Sequence, residues 1–195
     1  MRESPSDLQT PVMLIAMPQV LDPFFHHSVV LLLHHSEEGS FGLIVNRPTG
    51  IQVREILGGM EIDWGGEDVA VAHFGGPVQP QLGTVLFSPP GGGRELAPSG
   101  AEIAPGLVLT QHVDDLAGLA AAPPERLRLF LGYAGWGEGQ LMEEILRNDW
   151  LTAAIDPGFL FAGDPAAVWA RALRSVGVDP AVLPSWTQGG GHSAN

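Results

Sequence analysis

The chain has 195 residues, with 22 acidic against 9 basic side chains, a formal net charge of −13 and no cysteine. Every basic residue is an arginine, which excludes Schiff-base chemistry on a lysine and the phosphate-binding lysine of a P-loop; the missing cysteine excludes disulfides, thiolate nucleophiles and cysteine-based metal centres. The acidic balance repels nucleic acid and anionic lipid at long range, so direct nucleic acid binding is not expected, and the densest arginine pair on offer is Arg126 with Arg128.

A chain of this length most often forms one domain, and 45% hydrophobic with 16% charged residues is a globular composition. The 26 glycines and 17 prolines favour many short elements over a helix bundle. Met1-Arg2-Glu3-Ser4 opens no basic-then-apolar leader, and apolar runs such as Val29 to Leu33 are far too short for a bilayer. A cytoplasmic protein without membrane contact is expected.

In chain order, residues 1–10 are polar and expected to be loose. Val12 to Ala16 reads as a buried strand ended by Pro18. Ser28 to His34 and Phe41 to Asn46 read as a hairpin joined through Glu37-Glu38-Gly39-Ser40, with Pro48 closing it. Val53 to Leu57 is a short helix before Gly58-Gly59, and Ala70 to Phe74 a strand ended by Gly75-Gly76-Pro77. Gly83 to Phe87 is another strand, and Pro89 to Gly100 a flexible excursion. Leu107 to Thr110 is a strand, Asp114 to Ala122 a helix stopped by Pro123-Pro124. Leu127 to Tyr133 is a strand with Leu127, Leu129 and Leu131 on one face. Gln140 to Arg147 is an amphipathic helix with Glu143 placed to pair with Arg147. Asp164-Pro165 is a strong helix start, and the helix behind it buries Val168, Trp169, Ala172, Leu173 and Val176. Residues 184–195 form a glycine-rich tail. Without regular βα alternation the fold expected is α+β: a single compact domain over residues 11–183, with bent mixed sheets and three to four short helices.

Candidate chemistry is sparse. Gly132 to Gln140 lies between a strand and a helix, as a phosphate cradle does, but Gly135, Gly137 and Gly139 are two apart and lack the dinucleotide spacing. Arg47 at a strand end beside glycine turns suits a carboxylate or phosphate clamp; alternatively Arg47 pairs with one of the 22 acids and Asn46 caps a turn. His26-His27 and His34-His35 are adjacent pairs whose members point apart if they lie on strands, so neither chelates as a unit. Thr110, His112 and Asp114 are close in sequence, which alone is no triad. The paired acids, Asp114-Asp115 among them, read as solvated. No catalytic residue, metal or cofactor is assigned.

Several segments in order resemble the AlgH/YqgE family of small bacterial proteins: Met17-Pro18-Gln19-Val20-Leu21-Asp22-Pro23 with Phe25, Gly42-Leu43-Ile44-Val45-Asn46-Arg47-Pro48, Phe74-Gly75-Gly76-Pro77-Val78, and Gly132-Tyr133-Ala134-Gly135-Trp136-Gly137. The resemblance runs over residues 11–180. It implies bent, partly barrel-like sheets, no established catalytic residues, and a transcriptional-regulator label linked to alginate production, which for so acidic a chain means indirect regulation through a protein or small molecule. The function expected is therefore non-enzymatic binding or regulation, with a protein partner or small anionic ligand. Its surface would gather Asn46, Arg47, Gly75, Gly76, Tyr133, Trp136 and Gln140 on one rim. The alternative is an enzyme acting on a small anionic metabolite through Arg47, with a histidine such as His73 as acid or base.

Overall fold

The computed structural model describes residues 8–90 and 97–184. Most of the N-terminal segment, the centre of the Pro89–Gly100 excursion and all but the first residue of the glycine-rich tail lie outside the described residues.

Ten strands form one curled, half-barrel sheet: β1 (Val12–Ala16), β2 (Val29–Ser36), β3 (Gly39–Ile44), β4 (Pro48–Gln52), β5 (Val71–Phe74), β6 (Val78–Phe87), β7 (Ala101–Ala104), β8 (Leu107–Thr110), β9 (Leu127–Trp136) and β10 (Trp150–Ala153). The main order is β10-β1-β2-β3-β9-β6-β8-β7, and β4 and β5 attach beside β9. Among the described residues these ten strands are joined by five short helices, α1 (Val53–Gly58), α2 (Val113–Ala121), α3 (Gln140–Leu146), α4 (Pro157–Leu160) and α5 (Pro165–Ser175), which complete the α+β domain. Among the described residues no helix is long and apolar enough to cross a membrane.

Strands β1 to β3 are apolar on both faces because both are covered. Met13, Ile15, Val29, Leu31, Leu43 and Val45 point into a core roofed by α4 and α5, which Phe130 and Leu86 extend under the second half of the sheet. Their alternates Leu14, Ala16, Val30, Leu32 and Ile44 point the other way, against Trp136, Trp150 and Leu141 of α3. Under the second half, Val85, Phe87, Val108 and Leu129 pack on Val53 and Leu57 of α1 and Leu119 of α2. Helix α5 starts as its sequence requires, with the Asp164 carboxylate accepting from the Ala166 N–H and Pro165 in the first turn. The Trp169 indole then donates to the Ala16 carbonyl at 2.7 Å and fixes the helix on β1.

Strand β9 joins the halves. One edge pairs with β6 from Leu127 to Leu131 and again at Tyr133; the opposite edge takes β5 in parallel at Phe130 and Leu131, then β3 antiparallel from Ala134 to Trp136. Between Phe74 and Val78 the chain must therefore pass from one edge of β9 to the other. It does so backbone on backbone: a Cβ on Gly75 would overlap the Gly132 carbonyl oxygen, and one on Gly76 the Tyr133 carbonyl. Gly132 itself takes a left-handed φ of 68°, which shifts the side-chain alternation of β9, so that Leu129 and Leu131 before it and Ala134 and Trp136 after it serve the same side.

Several expectations are corrected in detail. Strands β4, β7 and β10 and the single-turn helix α4 were not anticipated, and β6 begins five residues earlier than Gly83. Leu146 is exposed, and Arg147 pairs with Asp149 at 2.9 Å rather than with Glu143. Asp115 is buried, not solvated: it accepts the Thr110 hydroxyl at 2.6 Å and the Ser99 N–H at 3.3 Å.

If the crossing sets the fold, Gly76→Ala should cost about 3 kcal/mol or more, by overlap and backbone strain together. Gly50→Ala, with no atom within 4 Å of its new methyl group, should stay within about 1 kcal/mol of the wild type. Denaturant midpoints measured side by side check both.

Candidate functional site

Of the seven strand-end residues, Asn46, Arg47, Trp136 and Gln140 spend side-chain polar groups on the frame of the fold, and Gly75, Gly76 and Tyr133 pack into it. Asn46 accepts the Val29 N–H and donates to the His27 carbonyl, each at 2.9 Å. Arg47 donates to the His26 carbonyl, so its anchor is a neutral carbonyl and not an acid. Burial disfavours its charged form while Asp22 nearby favours it. Gly75 and Gly76 are filled by the crossing. Trp136 donates its indole N–H to Glu144 at 2.9 Å, Trp150 donates to the same oxygen at 2.8 Å, and Gln140 donates to the other oxygen while accepting the Gly137 N–H. Tyr133 packs on the core beneath α4 and α5, whereas Trp136 belongs to the core on the opposite face.

Of the two histidine pairs, His34-His35 lies on β2 as expected. His26 and His27 lie in a turn, not on a strand. Their rings stack at 3.8 Å, and His27 stacks equally closely on Trp169. Burial, then His26, then Arg47 lower the His27 pKa. Among the described residues no group of three potential metal ligands converges.

A large concavity with chemistry in it lies elsewhere. Strand β5 is registered to β9 only at His73↔Phe130 and Phe74↔Leu131. The residues before these pairs, Ala70 and Val71 on one side and Leu127 to Leu129 on the other, line a cleft of about 670 Å³. Trp64, Pro123, Pro124, Phe161 and Pro165 supply apolar walls, and Glu67 and Glu125 are its acidic members.

Two polar side chains stand inside it. His73 is only 6% exposed, and neither ring nitrogen has a hydrogen-bond partner. Burial first, then the Arg128 charge, lower its pKa to about 4; the Val71 backbone favours the charged ring weakly but is not at hydrogen-bonding geometry. The ring is therefore neutral at pH 7, with one donor and one acceptor free. Arg128 donates to the Val45 carbonyl at 3.1 Å and to the Ala162 carbonyl, both neutral. Among the described residues it makes no ion pair, and burial disfavours its charge. Arg47 does not line this cleft, so the cation beside His73 is Arg128, which the sequence had offered only as half of a basic pair. Its signal was a lone arginine inside the apolar run Leu127 to Leu131. Trp64 and Phe161 carried no signal, since both come from loops.

A family model described as AlgH-like matches residues 13–181. The chain belongs to the AlgH-like family. An AlgH-like relative, a UPF0301 protein of Cupriavidus metallidurans, is 42% identical over 186 residues, 93% of this chain and 94% of that one. A UPF0301 protein of Myxococcus xanthus is 40% identical over 174 residues, 89% and 93% of the two chains. The solution structure of the AlgH protein from Pseudomonas aeruginosa superposes with a TM-score of 0.72 at 34% identity, covering 99% of this chain and 100% of that one. A crystal structure of protein DIP2367 from Corynebacterium diphtheriae, 24% identical over 85% of each chain with a TM-score of 0.70, shares the fold. The family expected from the motifs is thus the family found.

An unpartnered buried imidazole should oppose stability. Replacing it by a ring of similar shape removes that cost, so His73→Phe should stabilise the protein by about 1–2 kcal/mol at pH 7. The sign of the pH dependence follows from the lowered pKa. Between the ordinary value of 6.5 and the folded value of about 4, the unfolded chain binds the proton and the folded chain does not. Stability is full above 6.5 and falls as pH drops to 4, by up to about 3 kcal/mol from this residue. Urea unfolding of both proteins across this range should show the His73 contribution vanish in His73→Phe.

Proposed function

We propose that the chain is a non-catalytic binding protein for a small molecule, acting in regulation through that ligand rather than through DNA, and that its site is the cleft at His73 and Arg128. The observation that carries this reading is His73: a nearly fully buried side chain with two unsatisfied polar atoms, among the residues that line a cleft large enough for a metabolite. Native interiors pair such atoms, and an orphaned one calls for a partner that arrives. Apolar walls with a few convergent polar groups are the usual make-up of a ligand pocket. In this proposal Asn46, Arg47, Gly75, Gly76, Tyr133, Trp136 and Gln140 support the site by fixing β3, β5 and β9, without touching the ligand.

Direct DNA binding is disfavoured by the charge of −13 and by Arg128 being held among backbone carbonyls beside an exposed Arg126. An enzyme would need a reacting partner for His73, and the cationic neighbour proposed for that role, Arg47, stands outside the cleft.

A thermal-shift panel of small carboxylates, phosphates and neutral metabolites against wild type and His73→Phe tests the proposal. A ligand at 100 times its dissociation constant adds about 2.7 kcal/mol of stability. A shift in the wild type that His73→Phe loses supports the site. An equal shift in both proteins places binding elsewhere, and chemical turnover of a panel compound, followed by NMR, makes the protein an enzyme.

A further inference from the structure

The two polar groups in the cleft are mismatched as they stand. Arg128 is half-buried, and its guanidinium offers five N–H bonds, of which the Val45 and Ala162 carbonyls each take one. Both acceptors are neutral, so the charge itself is uncompensated. Beside it His73 lines the cleft with a buried imidazole whose two nitrogens are unpartnered and closed to solvent, so a bound head reaches them only as the ring turns toward it. A half-buried cation without a counterion gains most from an oxyanion, which accepts charge-assisted hydrogen bonds and neutralises the charge. The walls ask for something else: Trp64, Leu127, Leu129 and Phe161 are apolar and line the same space.

Resting on the reading of this cleft as a ligand site, we propose that the ligand is an amphipathic organic anion. Its carboxylate or phosphate head lies at Arg128, its apolar body lies against Trp64, Leu127 and Phe161, and His73 takes up one proton from solvent as the head binds. No covalent bond forms. The proton goes to the free ring nitrogen, and the imidazolium N–H then donates to the head.

The charges around the ring set the direction. Burial first, and the Arg128 charge on β9 second, hold the ring neutral in the empty cleft; an anion at Arg128 cancels the second of these and puts a negative charge beside the buried ring, which favours its protonated form. Glu67 and Glu125 also line the cleft, but neither is among the groups that shift the ring, which are Arg128 and the Val71 backbone. Pro48 and Phe130, packed against His73 from β4 and β9, carry no charge. The overall negative charge opposes any anion at a distance. At physiological salt, however, it is screened beyond about 8 Å, and the half-buried arginine is screened far less.

Isothermal titration calorimetry on the full chain at pH 6 tests this with five probes: benzoate, phenyl phosphate, acetate, inorganic phosphate and benzyl alcohol. Each is titrated in two buffers of different ionisation enthalpy, neither of them phosphate. The expected result is binding of benzoate or phenyl phosphate at least tenfold tighter than acetate, inorganic phosphate and benzyl alcohol, with net proton uptake, the preferred head separating carboxylate from phosphate ligands. His73→Phe and His73→Gln should abolish the proton uptake and weaken binding at least tenfold. Benzyl alcohol binding as tightly as the anions, and lost in His73→Phe, would overturn the anion proposal and leave the ligand cleft standing. Anion binding without proton uptake would overturn it as well. Binding of all probes unaltered by either variant would overturn both this proposal and the cleft reading.

Discussion

The fold depends on one close contact, the passage of Gly75-Gly76 over Gly132-Tyr133. Two backbones approach there more closely than any side chain allows, and this lets the chain leave one edge of β9 and rejoin it on the other. A single ten-residue strand can then pair with β5 and β3 in succession along one side and with β6 along the other. The left-handed turn at Gly132 is the matching local cost, and it brings Ala134 and Trp136 onto the side already served by Leu129 and Leu131. The two halves of the sheet thereby share one core beneath α4 and α5, and each half has its own core on the other face.

The cleft follows from the same contact. A strand that must cross its neighbour can pair with it only briefly, and β5 pairs with β9 over two residues. Below those residues the strands part, and the proline pair after α2, the Trp64 loop and the Phe161 turn close the gap into a cavity instead of a core. His73 sits at the last paired position, and Arg128 lies where the pairing has ended. Elsewhere Glu144 is satisfied by two indoles and a glutamine, and Asp115 by a hydroxyl and a backbone N–H. Ser28 Oγ and Arg47 Nε each lack a partner, but among the described residues only His73 has two buried side-chain atoms without one. Against that background an imidazole with no partner stands out, and such exceptions concentrate where a protein meets its ligand.

Much of the fold was legible in the sequence because runs such as Val29 to Leu32 have apolar residues on both faces and clear turn signals at their ends. The Asp164-Pro165 start of α5 was legible for the same kind of reason, a local signal with a local cause. What escaped were short edge strands. Pro48-Thr-Gly-Ile-Gln52 and Ala101 to Ala104 are largely exposed and carry no periodic pattern, since their stability comes from a neighbouring strand. The glycine pair before Pro77 announced a special backbone but not its function, because the residue it crosses lies more than fifty positions away. The site was half legible. His73 was named as one histidine that could serve as acid or base, but beside Arg47, whose place at a strand end next to glycine turns suggested an anion clamp. Its actual neighbour, Arg128, comes from a strand that only the sheet topology brings alongside.

The central claim is that His73 is a neutral, unpartnered imidazole facing an open cleft. NMR titration of its ring carbon in the ligand-free protein tests this most directly. The account predicts a ring that stays neutral down to about pH 4 and whose two nitrogens report a free donor and a free acceptor. A midpoint near 6.5 would contradict it, since the ring would then be solvated or paired and the cleft would lose the feature that marks it as a binding site.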